Sequence, residues 1–182
     1  MLLKKNSIVY ILAAIVLIAI LAIYFSNNIN KLYGNDKESI VKVIKSIEGY
    51  EDESIEILEI KDIYDERIVG FLSNNNPANI KFSKNQNGNY EWNYIEKSEG
   101  QSFNSFLIHV SKDESNVSKF MVVTNQENNI AKMELGVNKI VIEQDFNVNL
   151  KSVTWIDLPE TNDGYSTFNY KYYGKDGSLI ED

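Results

Sequence analysis

The sequence predicts an α+β, mostly β protein: an N-terminal transmembrane helix, then one helix packed on an antiparallel meander, followed by an antiparallel β-sandwich-like block. Three observations carry that expectation. Residues 8–25 contain no charge, Ile40, Val43, Ile44 and Ile47 recur with a helical period, and from Ser54 onward short apolar-alternating runs are separated by turn residues.

The run "IVYILAAIVLIAILAIYF" would rise roughly 27 Å as a helix, close to the ~30 Å hydrocarbon thickness of a bilayer. A cleaved secretory signal has a shorter apolar core, about 7–15 residues, and small residues at its cleavage site. Here the run ends Ala22-Ile23-Tyr24-Phe25-Ser26-Asn27-Asn28 with no such site, and the chain holds no cysteine for a lipid-modified N-terminus. The expectation is therefore a retained signal-anchor helix over 7–26, with residues 1–6 as a cytoplasmic tail and 27–35 as a tether. Lys4 and Lys5 set the orientation, because basic flanks favour the cytoplasmic side, and Tyr10 and Tyr24 sit where amphipathic rings favour the two interfaces. The remainder is placed outside the cytoplasm, held at the cell membrane by a single pass.

Asn35 followed by Glu38 fits a helix start, and Gly49 fits a stop, so a helix is expected over 36–48. The runs "SIEILEIKDIY" and "RIVGFLS" read as strands joined at Asp65-Glu66, with "NNNP" at 74–77 as a loop. In "NIKFSKNQNGNYEWNYIE" the pair Asn87-Gly88 sets a hairpin. Residues 36–97 thus form a helix on a meander of about four strands. After the polar loop "KSEGQS", strands are expected at about 103–111, 118–125, 129–136, 139–146, 150–157, 165–173 and 177–181, at the spacing of an antiparallel sandwich. The block 103–182 either shares one core with 36–97 or abuts it.

All 26 acidic residues and 16 of the 18 basic ones follow Lys5, leaving −10 beyond that point. Such a surface repels phosphate backbones, so nucleic acid is excluded as a partner. The absence of cysteine removes disulfides, thiolate nucleophiles and thiolate metal sites together. The glycines are scattered singly, so no phosphate-cradling loop is present.

His109, the only histidine, lies in "SFLIHVS" without a nucleophile-elbow motif, and reads as a packing or surface residue. Glu51, Asp52 and Glu53 lie in a carboxylate-rich stretch that lacks a calcium-loop pattern, and Glu56 and Glu59 alternate with aliphatic residues as a solvated strand face. No metal or other cofactor is expected. Two aromatic rows remain: Tyr90, Trp92 and Tyr94 on one alternating face, and Phe168, Tyr170 and Tyr172 on another. They are the candidate binding face, since rings bury large areas while keeping polar tips.

The layout resembles that of small envelope proteins of bacteria, a likeness of architecture alone. The function expected is that of a membrane-anchored extracytoplasmic domain that binds without catalysing. Its partners would be the lipid bilayer through the N-terminal helix, and an envelope protein, a peptide or a wall polymer through the outer domain. The rival readings are a membrane-anchored hydrolase using a carboxylate pair and an immunity-type protector protein.

Overall fold

The computed structural model describes residues 10–21, 31–112, 115–159 and 167–180. The chain is mostly β, with 52% in strands, and two helices are present among the described residues. It divides into two compact units, residues 1–32 and 33–182.

In the first unit the described residues form a helix, α1, over 10–21. This corrects the expectation of a transmembrane helix. Twelve residues rise only about 18 Å, against the ~30 Å that a span needs. No helix among the described residues is long and apolar enough to cross a membrane. Tyr10, assigned to an interface, is a largely exposed residue at the start of α1. Lys4, Lys5 and Tyr24, the tail 1–6 and tether residues 27–30 lie outside the described residues.

The second unit begins with α2 (Lys37–Lys45), a shorter helix than the 36–48 expected. Its cap is Asp36, not Asn35. The Asp36 carboxylate accepts from the Ser39 backbone N–H at 2.8 Å, and the Ser39 hydroxyl accepts from the Asp36 N–H at 2.9 Å, a reciprocal box of the kind that contributes about 1 kcal/mol. Asn35 is diverted to the sheet, where its side-chain oxygen accepts from the Tyr90 N–H at 2.9 Å.

Three antiparallel sheets follow. The first contains β1 (Ile55–Ile63), β2 (Glu66–Ser73), β3 (Asn76–Lys84) and β4 (Tyr90–Lys97) in sequence order. The second holds β5 (Phe103–Lys112), β6 (Ser115–Thr124) and β9 (Ser152–Asp157) in the order β5-β6-β9. The third holds β7 (Lys132–Val137), β8 (Ile140–Asp145), β10 (Phe168–Tyr173) and β11 (Leu179–Ile180) in the order β11-β10-β7-β8. The "NNNP" stretch is a two-residue turn rather than a longer loop: Ser73 pairs with Asn76, and Asn74 and Asn75 adopt φ of 47° and 68°, which asparagine tolerates better than most residues.

These elements stack as four layers. Ile40, Val43 and Ile44 of α2 pack on Val69, Phe71, Ile80 and Phe82 of the first sheet. On that sheet's other face, Ile68 and Leu72 meet Phe106, Ile108, Met121 and Val123 of the second. The second sheet then turns Phe120, Val122 and Ile156 toward Met133, Leu135 and Val137 of the third. Successive residues of β6 therefore enter different cores, which is why "FMVV" at 120–123 reads as a continuous apolar run instead of an alternation.

Gly70 allows the first two sheets to approach. A Cβ there would stand 2.8 Å from Val153 Cγ2 and 3.3 Å from Met121 Sδ. Beside it, β1 shifts register between Ile57 and Glu59, so Leu58 is an extra residue and Glu59 pairs with Gly70. The bulge re-aims Glu59, whose carboxylate accepts from Trp155 Nε1 at 2.8 Å. The expected solvated face thus holds for the exposed Glu56 but not for half-buried Glu59.

Asn79 sits in β3 at 1% exposure, with neither its amide nitrogen nor its carbonyl oxygen hydrogen-bonded among the described residues. An unpaired buried polar group costs about 1–3 kcal/mol, and a β-branched residue suits a strand. Asn79→Val should therefore raise the urea midpoint, by about 1 kcal/mol or more of stability. A lower midpoint at unchanged slope would show that the amide does hold the fold.

Candidate functional site

A cavity that converges polar groups lies where three turns of the second unit meet: the β2–β3 turn, the β4–β5 connection and the β6–β7 connection. It is open, about 550 Å³, and lined by Asn74, Asn75, Asn76, Gly100, Gln101, Ser102, Asn125, Glu127 and Asn129. That volume falls within the ~300–1,000 Å³ of small-molecule sites.

Each turn is shaped by asparagines that replace missing backbone partners. Asn74 ties the β2–β3 turn to the chain before β1, since its side-chain oxygen accepts from the Ser54 N–H at 2.9 Å. Asn76 accepts from the Gly100 N–H at 2.8 Å and donates to the Ser73 carbonyl at 3.1 Å. Gly100 needs its glycine, with φ at 71°. Asn125, only 3% exposed, is the hub. It donates through Nδ2 to the Asn75 carbonyl at 2.7 Å, accepts from the Glu127 N–H at 2.7 Å, and donates its own N–H to the Ser102 carbonyl at 3.0 Å. Behind it, fully buried Asn128 accepts from the Ile130 N–H and fixes the end of the β6–β7 connection, just before β7.

This wiring leaves other lining groups available. No hydrogen bond among the described residues engages the side chains of Gln101, Ser102 or Asn129, and Gln101 and Asn129 are exposed. The only ionisable group in the lining is Glu127, which accepts from Asn75 Nδ2 at 3.1 Å. The site thus offers amide and hydroxyl groups that both donate and accept, one carboxylate, and no cation or aromatic ring. Such a set can hold a polar ligand by its edges; no hydrogen bond among the described residues joins Ser102 to Glu127.

The aromatic residues read from the sequence do not form one face. Tyr90 is 8% exposed beneath α2, with its ring under the Arg67 guanidinium at 3.9 Å and its hydroxyl donating to Asp62 at 3.1 Å. It is a packing residue. β4 then shifts register, Trp92 pairing with Phe82 but Tyr94 with Lys81, so Asn93 is an extra residue and the row is split between the two faces of the sheet. Trp92 and Tyr94 are exposed, at 43% and 50%. Phe168, Tyr170 and Tyr172 belong to the third sheet, opposite Val137, Leu135 and Met133, and so face its core. Phe168 meets Phe120 edge-on at 5.1 Å, Tyr172 meets Phe103 at 5.4 Å, and Tyr170 stacks on Tyr172 at 6.2 Å while remaining partly exposed.

The Tyr94 phenol is pushed up to about 12, first by its hydrogen bond to Glu96, at 2.7 Å, and then by desolvation. A phenol raised in the folded state adds stability that is complete below about pH 10 and is lost as pH rises toward 12. Glu96→Gln should bring that titration back toward 10 in an ultraviolet absorbance scan, leaving the other tyrosines in place. An unmoved titration would remove Glu96 as the cause.

His109 is exposed on β5, with Nδ1 2.9 Å from the Ser118 hydroxyl and Nε2 3.4 Å from that of Ser111. No carboxylate orients it among the described residues. Glu53 is held by Lys97 at 2.6 Å and by Ser73, and Glu51 accepts from the Gly49 N–H at 2.8 Å. Among the described residues no group of three acids or histidines is placed to hold a metal ion.

Sequence reasoning found "NNNP" and "KSEGQS" as loops and left 126–128 between two expected strands, but did not join them as a site. Their shared signal is a density of amide side chains in three turns. Only the strand order brings those turns together. The class of protein these observations define is a layered β domain with a polar cavity at one end. In comparisons with known proteins, no family model, no curated protein and no solved structure matches the chain.

Proposed function

We propose that residues 33–182 form a non-catalytic recognition module of the cell envelope, which takes a polar ligand in the asparagine-lined cavity. The single observation that carries this reading is the contrast within that lining: Asn76 and Asn125 are spent on holding the walls, whereas Gln101, Ser102 and Asn129 have no partner among the described residues. A binding site needs that division between supporting and available groups.

The carboxyls support the same reading. Asp62, Glu134 and Asp157 are held below the usual range, in turn by hydrogen bonds from Arg67, Tyr173 and Lys119. Groups held ionised serve in ion pairs; a glycosidase acid needs its pKa raised. The envelope assignment rests on the uncharged run 8–25 and on α1, whose residues are exposed and apolar, so water is a poor solvent for them.

A photo-crosslinking residue placed at Gln101 or Asn129 in intact cells should capture a component other than the chain itself. The same residue at exposed Leu107 should capture much less. Equal capture at all three positions would reject the cavity as the site. A C-terminal reporter active only outside the cytoplasm should be bright, and a dark one would remove the envelope assignment.

A further inference from the structure

We infer that the ligand of this cavity is a neutral oligosaccharide, an assignment that rests on the recognition reading above and narrows it by chemistry. Charge narrows the choice first. The lining contains Glu127 and no lysine, arginine or histidine, in a chain of net charge −8. Phosphate, carboxylate and sulfate ligands would meet repulsion with nothing to offset it. A cation is equally poorly served, because a lone carboxylate falls short of the six to eight oxygens that calcium takes.

Apolar ligands fail next, since no aliphatic or aromatic side chain lines the cavity. A peptide bound in extended form needs a free strand edge or pockets for its side chains. The walls here are turns rather than a strand edge, and three of their backbone groups are already used: the Asn75 and Ser102 carbonyls accept from Asn125, and the Gly100 N–H donates to Asn76.

What remains matches sugar hydroxyls. The Gln101 and Asn129 amides each present a donor and an acceptor, Ser102 adds a hydroxyl, and Glu127 accepts only. A hydroxyl group also donates and accepts at one atom, so adjacent hydroxyls on a pyranose pair with an amide in either direction. A cavity of about 550 Å³ that is open to solvent lets the rest of an oligomer leave the site.

The test is a titration of the isotope-labelled full chain, followed by the side-chain amide signals of Gln101 and Asn129 and the backbone signals of Gly100 and Glu127. The probes are a tetramer of β-1,4-linked N-acetylglucosamine, maltotetraose, tetragalacturonate and a neutral tetrapeptide. At least one of the two neutral tetrasaccharides should give saturable shifts at these positions, and the galacturonate should bind about tenfold more weakly or not at all. Gln101→Ala and Asn129→Ala should each weaken the neutral sugar about three- to tenfold, the loss of one or two net hydrogen bonds, with thermal unfolding unchanged. Shifts with the peptide and none with either neutral sugar would leave the cavity a binding site and overturn the sugar assignment. Preferred binding of the galacturonate would overturn the charge argument. Silence at the cavity with every probe, alongside crosslinks to a partner elsewhere on the surface, would overturn both readings.

Discussion

Replacing Gly34 with alanine should destabilise the 33–182 unit, because the new Cβ would stand 2.3 Å from Cε1 and 2.6 Å from Cζ of Phe82. That ring cannot swing aside. Phe82 is fully buried between α2 and the first sheet, and Gly34 is pinned above it by a 2.8 Å hydrogen bond from its N–H to the Tyr90 carbonyl. Overpacking of this kind costs about 1–3 kcal/mol, and removal of the ring in Phe82→Ala about 3–5 kcal/mol. The double variant should lose less than the sum, since the cavity left by one change receives the methyl of the other. Urea unfolding of the full chain, read by tryptophan fluorescence, measures all three. Strict additivity would mean that the chain before α2 moves off the ring at little cost.

Arg67→Met should be the second severe change. The Arg67 side chain is 13% exposed and serves four partners. Its guanidinium donates to both Asp62 oxygens at 2.7 and 2.8 Å, donates to the Gly34 and Asn35 carbonyls at 3.0 and 2.7 Å, and lies 3.9 Å from the Tyr90 ring centre. Methionine keeps much of the apolar stem and none of the donors, so the loss isolates the polar contacts, at about 2–3 kcal/mol. Asp62 supplies an independent signal. Hydrogen bonds from Arg67, above all, hold its carboxyl below the usual range. A depressed carboxyl contributes stability above its unfolded value near 4 and loses it as pH falls through the folded one. In the variant the Asp62 titration should rise toward 4, and that share of the acid-side loss should vanish. An unchanged titration would assign the depression to Tyr90 instead.

Strand positions were legible because the turns between them are written in asparagine and glycine, whose tolerance of positive φ is a local property. Asn87-Gly88 is one such turn, and Gly88 adopts φ of 83°. Two register shifts were not legible. The extra residues Leu58 and Asn93 look like ordinary members of alternating runs, yet each turns the following side chain to the other face. Glu59 thereby reaches Trp155, and Tyr94 parts from Tyr90 and Trp92. The first aromatic row is split for that reason, while Phe168, Tyr170 and Tyr172 keep the shared face their alternation implies. The helix start moved by one residue because Asn35 had a competing partner in β4, 55 residues away. The expected transmembrane helix is overturned by the described residues: α1 covers 10–21, and no helix among them is long and apolar enough to cross a membrane. The cavity was invisible because its three turns are distant in sequence and meet only through the order β5-β6-β9 and its packing on the first sheet.

The doubly covered strand β6 carries a liability during synthesis. Until β9 arrives, 28 residues after its partner Thr124, the segment Phe120–Val123 has an open edge and two greasy sides on a nascent chain. Low charge, β-branching and no proline make such a stretch prone to pairing with its like on another molecule. Lys119 stands directly before it and, once folded, faces Asp157 of β9 in an ion pair. In the unfolded chain the same ammonium group keeps identical copies apart, so a neutral residue at 119 trades soluble yield for nothing the finished molecule needs.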